Sequence, residues 1–308
     1  MGSSGPGRRL QAGLLPDGRR LHLQDGPIDL IVEAFGDRDA VEAAYRAAVA
    51  RLDGLLDELC GELTALRAPV SPMAPGVSGP VAKRMAAAVA PYGETVFITP
   101  MAAVAGSVAD EILCAMREAA GDRLVRAYVN NGGDIALHLS PGTRFTTGLV
   151  DRPDRPSLFA TADITAEDGV GGIATSGARG RSFSLGIADA VTILAKTAAE
   201  ADAAATVVAN AVDLEHPGIV RVPARELAPD SDLGDRLVTT NVPALTAAEI
   251  ELALDHGENV AGRLVRDGRI SAAALHLQGV TRIVGRSGGA VGMPSLAAHG
   301  GARDAFFR

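Results

Sequence analysis

The sequence predicts an α+β fold, with strands in antiparallel clusters flanked by helices. Three observations carry this. Two long segments repeat apolar residues every three or four positions, the period of a helix with one buried face. Shorter segments alternate around turns rich in Asn and Gly. The order of these segments is not the regular strand–helix–strand alternation of a parallel sheet.

The elements follow in order. MGSSGPGRRLQAG holds no apolar run, and residues 1–19 read as a disordered arm. One domain is expected over 20–285, and the Gly-rich stretch 286–308 reads as a weakly specified tail. Residues 20–36 predict one or two strands ending at Gly36. In the next segment Val41, Tyr45, Val49, Leu52, Leu56, Leu59 and Leu63 line one face of a helix, with Asp39 and Glu42 spaced as a capping box. RAPVSPMAPGVSGP (67–80) is too rich in Pro and Gly for a helix and reads as a loop inside the domain. TPMAAVAGSVADEILCAM (99–116) reads as a helix with Thr99 as N-cap, Pro100 at its first position and small residues in its first turns. RAYVNNGGDIALHL (126–139) has a hairpin pattern. Strands are expected at 145–150, 171–175 and 188–195. Helices follow from 196 and over 246–270, each opened by a Thr/Glu capping box. The interval 216–243 reads as loop, and 275–285 as a last strand pair.

Composition excludes several classes of function. Apolar residues make up 47% of 308 and aromatics only 3%, with no Trp, so the core is built from Ala, Val, Leu and Ile. The net charge of −8 and the lack of a basic tract argue against nucleic-acid binding. Cys60 and Cys114 lie in no CxxC, so neither zinc nor a disulfide framework is indicated, and both read as buried thiols of a reducing compartment. No secretory signal is visible, and no apolar run reaches the ~18 residues of a membrane span. A soluble cytoplasmic protein is expected.

Three stretches carry candidate chemistry. Asp202 and Thr206 are four apart on an otherwise apolar helix, so they share a face. A carboxylate there needs a partner: an Arg, a backbone donor or a cation. Mg²⁺ takes one or two protein carboxylates and completes its shell with water and phosphate oxygens, which one Asp and one Thr hydroxyl suit. In GIATSGARGRSFSLG (172–186), Gly177 and Gly180 can turn backbone N–H groups toward an anion, and Arg179 and Arg181 suit phosphate. The same stretch also reads as a solvated surface loop. Asn130, Asn131, Gly132, Gly133 and Asp134 form either a plain hairpin turn or a set of side chains able to hold a polar ligand. The six histidines are scattered, and only His138, in the strand after the turn, stands near any of this.

NNGGDI (130–135), IATSG (173–177) and EADAAAT (200–206) occur in the order seen in the ApbE superfamily of Mg²⁺-dependent FAD:protein FMN transferases. The chain resembles a shorter, cytoplasmic branch of it, most closely over about 96–212. The resemblance implies two mainly antiparallel sheets flanked by helices. It implies a metal at Asp202 and Thr206, a flavin site at Gly132, Gly133 and Asp134, and a loop beside the dinucleotide at Thr175, Ser176 and Gly177. It implies Mg²⁺ and FAD or FMN as cofactors, a phosphate- or diphosphate-bearing small molecule as ligand, and a homodimer. The chain departs from the transferases at two places. Val104-Ala105-Gly106 stands where they carry Ala-Lys-Gly, and Gly186-Ile187-Ala188-Asp189 runs straight on where they carry His-x-x-Asp-Pro-x-Thr-Gly. Two other readings stand beside this one: a small-metabolite enzyme on the same scaffold, for example in sulfur incorporation during amino-acid synthesis, and a non-catalytic binding protein.

Overall fold

The computed structural model describes residues 9–71, 73, 76–150, 158–180, 182–285 and the backbone of 295–298. The chain opens with an antiparallel meander of β1 (Gln11–Leu14), β2 (Leu21–Asp25) and β3 (Ile28–Gly36). This corrects the disordered arm from residue 9 onward. Arg9 pairs with Asp25 and Asp57, and β1 is in register with β2 from Gln11↔Gln24 to Leu14↔Leu21. All four β1 residues are exposed, so nothing in their polarity marks the strand, and backbone pairing alone orders it.

The segment read as one helix is α1 (Arg38–Leu52), α2 (Leu55–Gly61) and α3 (Leu63–Leu66). Gly54 breaks it in the left-handed conformation, φ 86°. The N-cap is Asp37 rather than Asp39, accepting from Ala40 N at 2.7 Å. The Pro/Gly-rich loop follows, held where Glu62 accepts from Ser78 N and Gly79 N at 2.6 and 2.7 Å, and α4 (Pro80–Val89) begins at its last proline.

A 3₁₀ turn, Pro100–Ala103, leads into α5 (Val104–Ala120). Thr99 precedes it but caps nothing; its hydroxyl donates to Asp232 at 2.5 Å. Then come β4 (Leu124–Asn131), β5 (Asp134–Leu139), β6 (Arg144–Val150), β7 (Leu158–Thr165), β8 (Gly172–Ser176), β9 (Ala190–Ala195) and α6 (Ala198–Ala211). The interval expected to be loop holds β10 (Val220–Pro223), α7 (Ala224–Leu227) and β11 (Leu237–Asn241). Helix α8 (Ala247–Arg266) has its full Thr246/Glu249 capping box, and β12 (Ala272–Leu277) and β13 (Val280–Gly285) form the expected pair. Backbone Ser295–Ala298, in the segment read as a tail, is β14; the rest of 286–308 lies outside the described residues.

The strands make a nine-stranded sheet in the order β1-β2-β3-β4-β5-β8-β9-β12-β13, a three-stranded sheet β14-β7-β6 and a ribbon β10-β11. All neighbours are antiparallel. Helices α1, α5, α6 and α8 cover one face of the large sheet, where Ala-rich helix surfaces meet Leu, Ile and Val of the strands. The small sheet covers the other face, where Ala162 and Ile164 pack with Ile173 and Leu194. The α+β expectation, antiparallel sheets flanked by helices, holds. Among the described residues no helix is long and apolar enough to cross a membrane.

Both cysteines are exposed, which corrects the buried reading. Helix α5 buries Ala109, Ile112, Leu113, Met116 and Ala120, which leaves Cys114 on the outward face. Both thiols are therefore expected to react with a disulfide reagent in native buffer. A thiol that reacts only after denaturant is added would contradict the fold at that helix.

Candidate functional site

The site begins at the β4–β5 turn. Asn131 pairs with Asp134, so Gly132 and Gly133 alone make the turn, at φ 67° and 118°. The second value is one that only glycine adopts without strain. Asn130 Oδ1 accepts from Gly133 N at 2.8 Å and fixes the turn from within. Asn131 Nδ2 donates to Ala105 O at 3.1 Å and ties the turn to the start of α5. Asp134 alternates with Ala136, which packs in the helix-side core, so its carboxyl points toward the helices. There it accepts from Thr175 N at 3.2 Å, joining the turn to the end of β8.

Helices α5 and α6 cap one another. Helix α5 has no side-chain cap of its own. Asp202, from the second turn of α6, supplies one: its Oδ2 accepts from Gly106 N at 2.9 Å, and the N–H of Ala105 also favours its charge. In return Asp110 of α5 accepts from Ala198 N and Ala199 N, at 3.1 and 2.9 Å, at the start of α6. The exchange needs the backbones in contact, and Gly106 allows it. A Cβ there would lie 2.3 Å from Ala198 O. The small residues opening α5 thus serve close helix packing.

The carboxyl of Asp202 lies beside that of Asp134. Burial pushes Asp202 well above the usual carboxylate range, the nearby Asp134 pushes it further, and the N–H groups of Gly106 and Ala105 oppose both. Burial raises Asp134 to about 7 against the Thr175 N–H, and raises Asp110 to about 6 against the N–H groups of Ala199 and Ala198. Asp134 and Asp202 each keep some accessible surface as residues, although both carboxyl groups are deeply buried. Among the described residues no Arg, Lys or His forms an ion pair with either. Thr206 lies one turn beyond Asp202 on the same part-exposed face, and its hydroxyl has no partner among the described residues.

The 172–186 stretch contributes less directly than its composition suggests. Thr175 alternates with Ile173, which packs under the small sheet, so its side chain faces away from Asp202 and bonds Thr192 Oγ1 at 2.8 Å. Only its backbone N–H reaches the site. Ser176 falls on the helix side. Gly177 stands where a Cβ would be 2.6 Å from Asp189 O. The loop N–H groups do not all converge as a nest: Ala178 N donates to Ala188 O at 2.8 Å and Gly180 N to Gly177 O at 3.1 Å. Arg179 is engaged with Asp189 at 3.2 Å, which neutralises part of its charge. Arg181 lies outside the described residues. His138 is about 13 Å along β5 from Asp134. Its Nε2 lies 3.0 Å from Leu124 O, and burial lowers its pKa.

The two neighbouring carboxyls, with the Thr206 hydroxyl one turn along the same helix face, are hard oxygens, the set that Mg²⁺ prefers to softer metals. Among the described residues no three of His, Cys, Asp and Glu are grouped to hold a metal. A cation between Asp134 and Asp202 would therefore complete its shell with water or ligand oxygens. The residues fit such an ion. Asp110, which caps α6, and Asn210, which accepts from Leu185 N, escaped the sequence reading. The only signal for Asn210 was its place four residues beyond Thr206.

A family model described as AbpE bacteria matches residues 12–283. Curated relatives include a UPF0280 protein of Methanopyrus kandleri, 36% identical over 150 residues, which are 49% of this chain and 56% of the relative. A UPF0280 protein of Methanosphaerula palustris is 36% identical over 160 residues, 49% of this chain and 59% of the relative. The matched part of the chain thus spans under three fifths of the length of these relatives. Among solved structures, a mutant of the flavin transferase ApbE from Vibrio cholerae matches 89% of this chain and 96% of its own, at 12% identity and a TM-score of 0.33.

Proposed function

The chain belongs to the family described as AbpE bacteria, and from that membership we propose that it binds Mg²⁺ between Asp134 and Asp202 and, beside it, a flavin or another ligand bearing a diphosphate. One observation carries the reading. Two buried carboxyls lie side by side, each raised in pKa, with no basic side chain of the described residues to balance them. A divalent ion supplies the missing charge, and in a diphosphate cleavage it would neutralise the leaving phosphate. Asp134 and Asp202 would hold it, with Thr206 adjacent. Ser176 and the loop up to Arg179 would border the phosphates. We assign no general base, since His138 is held elsewhere.

The test is incubation of the protein with FAD, with and without Mg²⁺, with chromatography of FMN and AMP and a thermal melt of each sample. Mg²⁺ is expected to raise the melting temperature and the retention of FAD, and Asp202→Ala to abolish both. Release of FMN and AMP would add turnover to binding.

The mutual capping of α5 and α6 favours a second reading, in which Asp202 serves helix packing alone. In that case Mg²⁺ would leave the native melt unmoved. Retained FAD unaffected by Mg²⁺ would then favour a binding protein over a metal enzyme.

A further inference from the structure

The polar face of α6 does not stop at Thr206. Asp202, Thr206 and Asn210 follow one another at intervals of four, each part-exposed, while Ala203, Ala204, Ala205, Val207, Val208 and Ala209 between them are buried. The stripe is about 12 Å long, from eight residues of helical rise. Its far end is attached to the Gly/Ser/Arg loop: Asn210 Oδ1 accepts from Leu185 N at 2.9 Å and from the Ser184 hydroxyl at 3.4 Å.

The direction of the loop follows from its contacts. Gly172, at the start of β8, lies against Thr197 and Ala198, where a Cβ would come within 2.2 Å. Gly186, at the end of the loop, lies equally close to Ala209 O, and Ile187 N donates to Val212 O at 2.8 Å. So β8 and the far end of the loop meet α6 in its own direction, Gly172 at its first turn and Ser184 to Gly186 at its last. Thr239 N of β11 donates to Ser184 O at 2.8 Å and holds the same end from outside.

We infer that Asn210 is a positioning residue of the proposed site: it fixes the C-terminal end of the 177–187 loop over the Thr206 turn, so that the loop meets a diphosphate beside the cation. This rests on the reading given under Proposed function. The Asn210 amide group has no partner among the described residues and offers a further donor to a phosphate oxygen on the same face.

The probes are Mg²⁺ alone and Mg²⁺ with inorganic pyrophosphate, each followed by calorimetry, together with the rate of trypsin cleavage after Arg179. Asn210→Ala is expected to weaken pyrophosphate binding about 5-fold, the effect of one net hydrogen bond, and to speed the cleavage. It should leave the affinity for Mg²⁺ alone unchanged, which a general loss of structure would not. Asn210→Asp keeps both acceptor contacts and is expected to protect the loop as the native residue does. Native pyrophosphate affinity in Asn210→Ala would overturn the inference and leave the cation site standing. A native protein that binds Mg²⁺ but no pyrophosphate would also overturn it. A native protein that binds neither would overturn both readings.

Discussion

In the absence of divalent ions the protein is expected to lose stability as the pH rises from about 5 to about 7. Asp110, Asp134 and Asp202 all have folded pKa values raised above the ordinary 3.8, Asp110 to about 6 and Asp134 to about 7, chiefly by burial. A raised carboxyl holds its proton in the folded state at a pH where the unfolded chain has released it. The folded state then binds more protons, and the unfolding free energy falls with pH across that interval. For Asp110 alone the loss is roughly 3 kcal/mol at most, at 1.36 kcal/mol per pKa unit. Carboxyls lowered by hydrogen bonds, among them Glu62, Glu111 and Glu249, act in the opposite sense. Their contribution is complete above about 4.5, their unfolded value, so it does not offset the fall. His138, kept neutral by burial, opposes it over part of the range.

Urea unfolding at intervals of pH, in the native protein and in Asp110→Asn, separates these contributions. The variant should gain on the native protein as the pH rises, by up to about 3 kcal/mol between pH 4 and 7. Parallel curves would mean that Asp110 is not desolvated as the packing of α5 on α6 requires. Saturating Mg²⁺ should flatten the native curve by favouring the ionised Asp134 and Asp202, since a ligand bound only to the folded state adds stability.

Those carboxylates show how far the sequence could be read. An Asp among alanines on a helix must have a partner, and its spacing from Thr206 put the two on one face; both conclusions follow from local geometry. That the donors would be backbone N–H groups of a helix almost a hundred residues earlier, and that Asp110 would return the bond, are facts of long-range packing that no local pattern encodes. The hairpin at Gly132 and Gly133 was legible because its turn demands glycine. The side on which Thr175 falls was not, because it depends on which neighbour, Ile173 or Ala174, meets which sheet or helix layer. Cys60 and Cys114 were misplaced for a related reason: an apolar context does not fix the phase of a helix. Strands β1, β10 and β11 lack a strong alternation of buried and exposed apolar residues, so their pairing partners define them; β7 does alternate, from buried Ala160 to part-exposed Thr165, and was overlooked.

The largest single-residue effect on stability is expected at Gly106. In a free helix Gly→Ala is favourable by up to ~1 kcal/mol. Here the added Cβ would meet Ala198 O at 2.3 Å, Ala198 C at 2.5 Å and Ala199 N at 2.8 Å. All three are backbone atoms of the first turn of α6, and that turn cannot retreat freely. Gly172 presses on it from β8, with Ala198 N at 2.2 Å from where its own Cβ would be. Relief would have to separate α5 from α6. That movement would break the Gly106–Asp202 bond and the two bonds from Asp110, leaving buried carboxyls unpartnered. Overpacking of this kind typically costs 1–3 kcal/mol, and the lost caps add to it, so Gly106→Ala is expected to destabilise by about 3 kcal/mol or more. Gly262 of α8 provides the contrast. The nearest atom to its added Cβ is the flexible end of Arg266, at 3.3 Å, so Gly262→Ala is expected to be neutral or stabilising by up to ~1 kcal/mol. Urea unfolding of the two variants reads the difference directly. If Gly106→Ala were as stable as the native protein, α5 and α6 could not be in the backbone contact on which the placing of Asp202 depends.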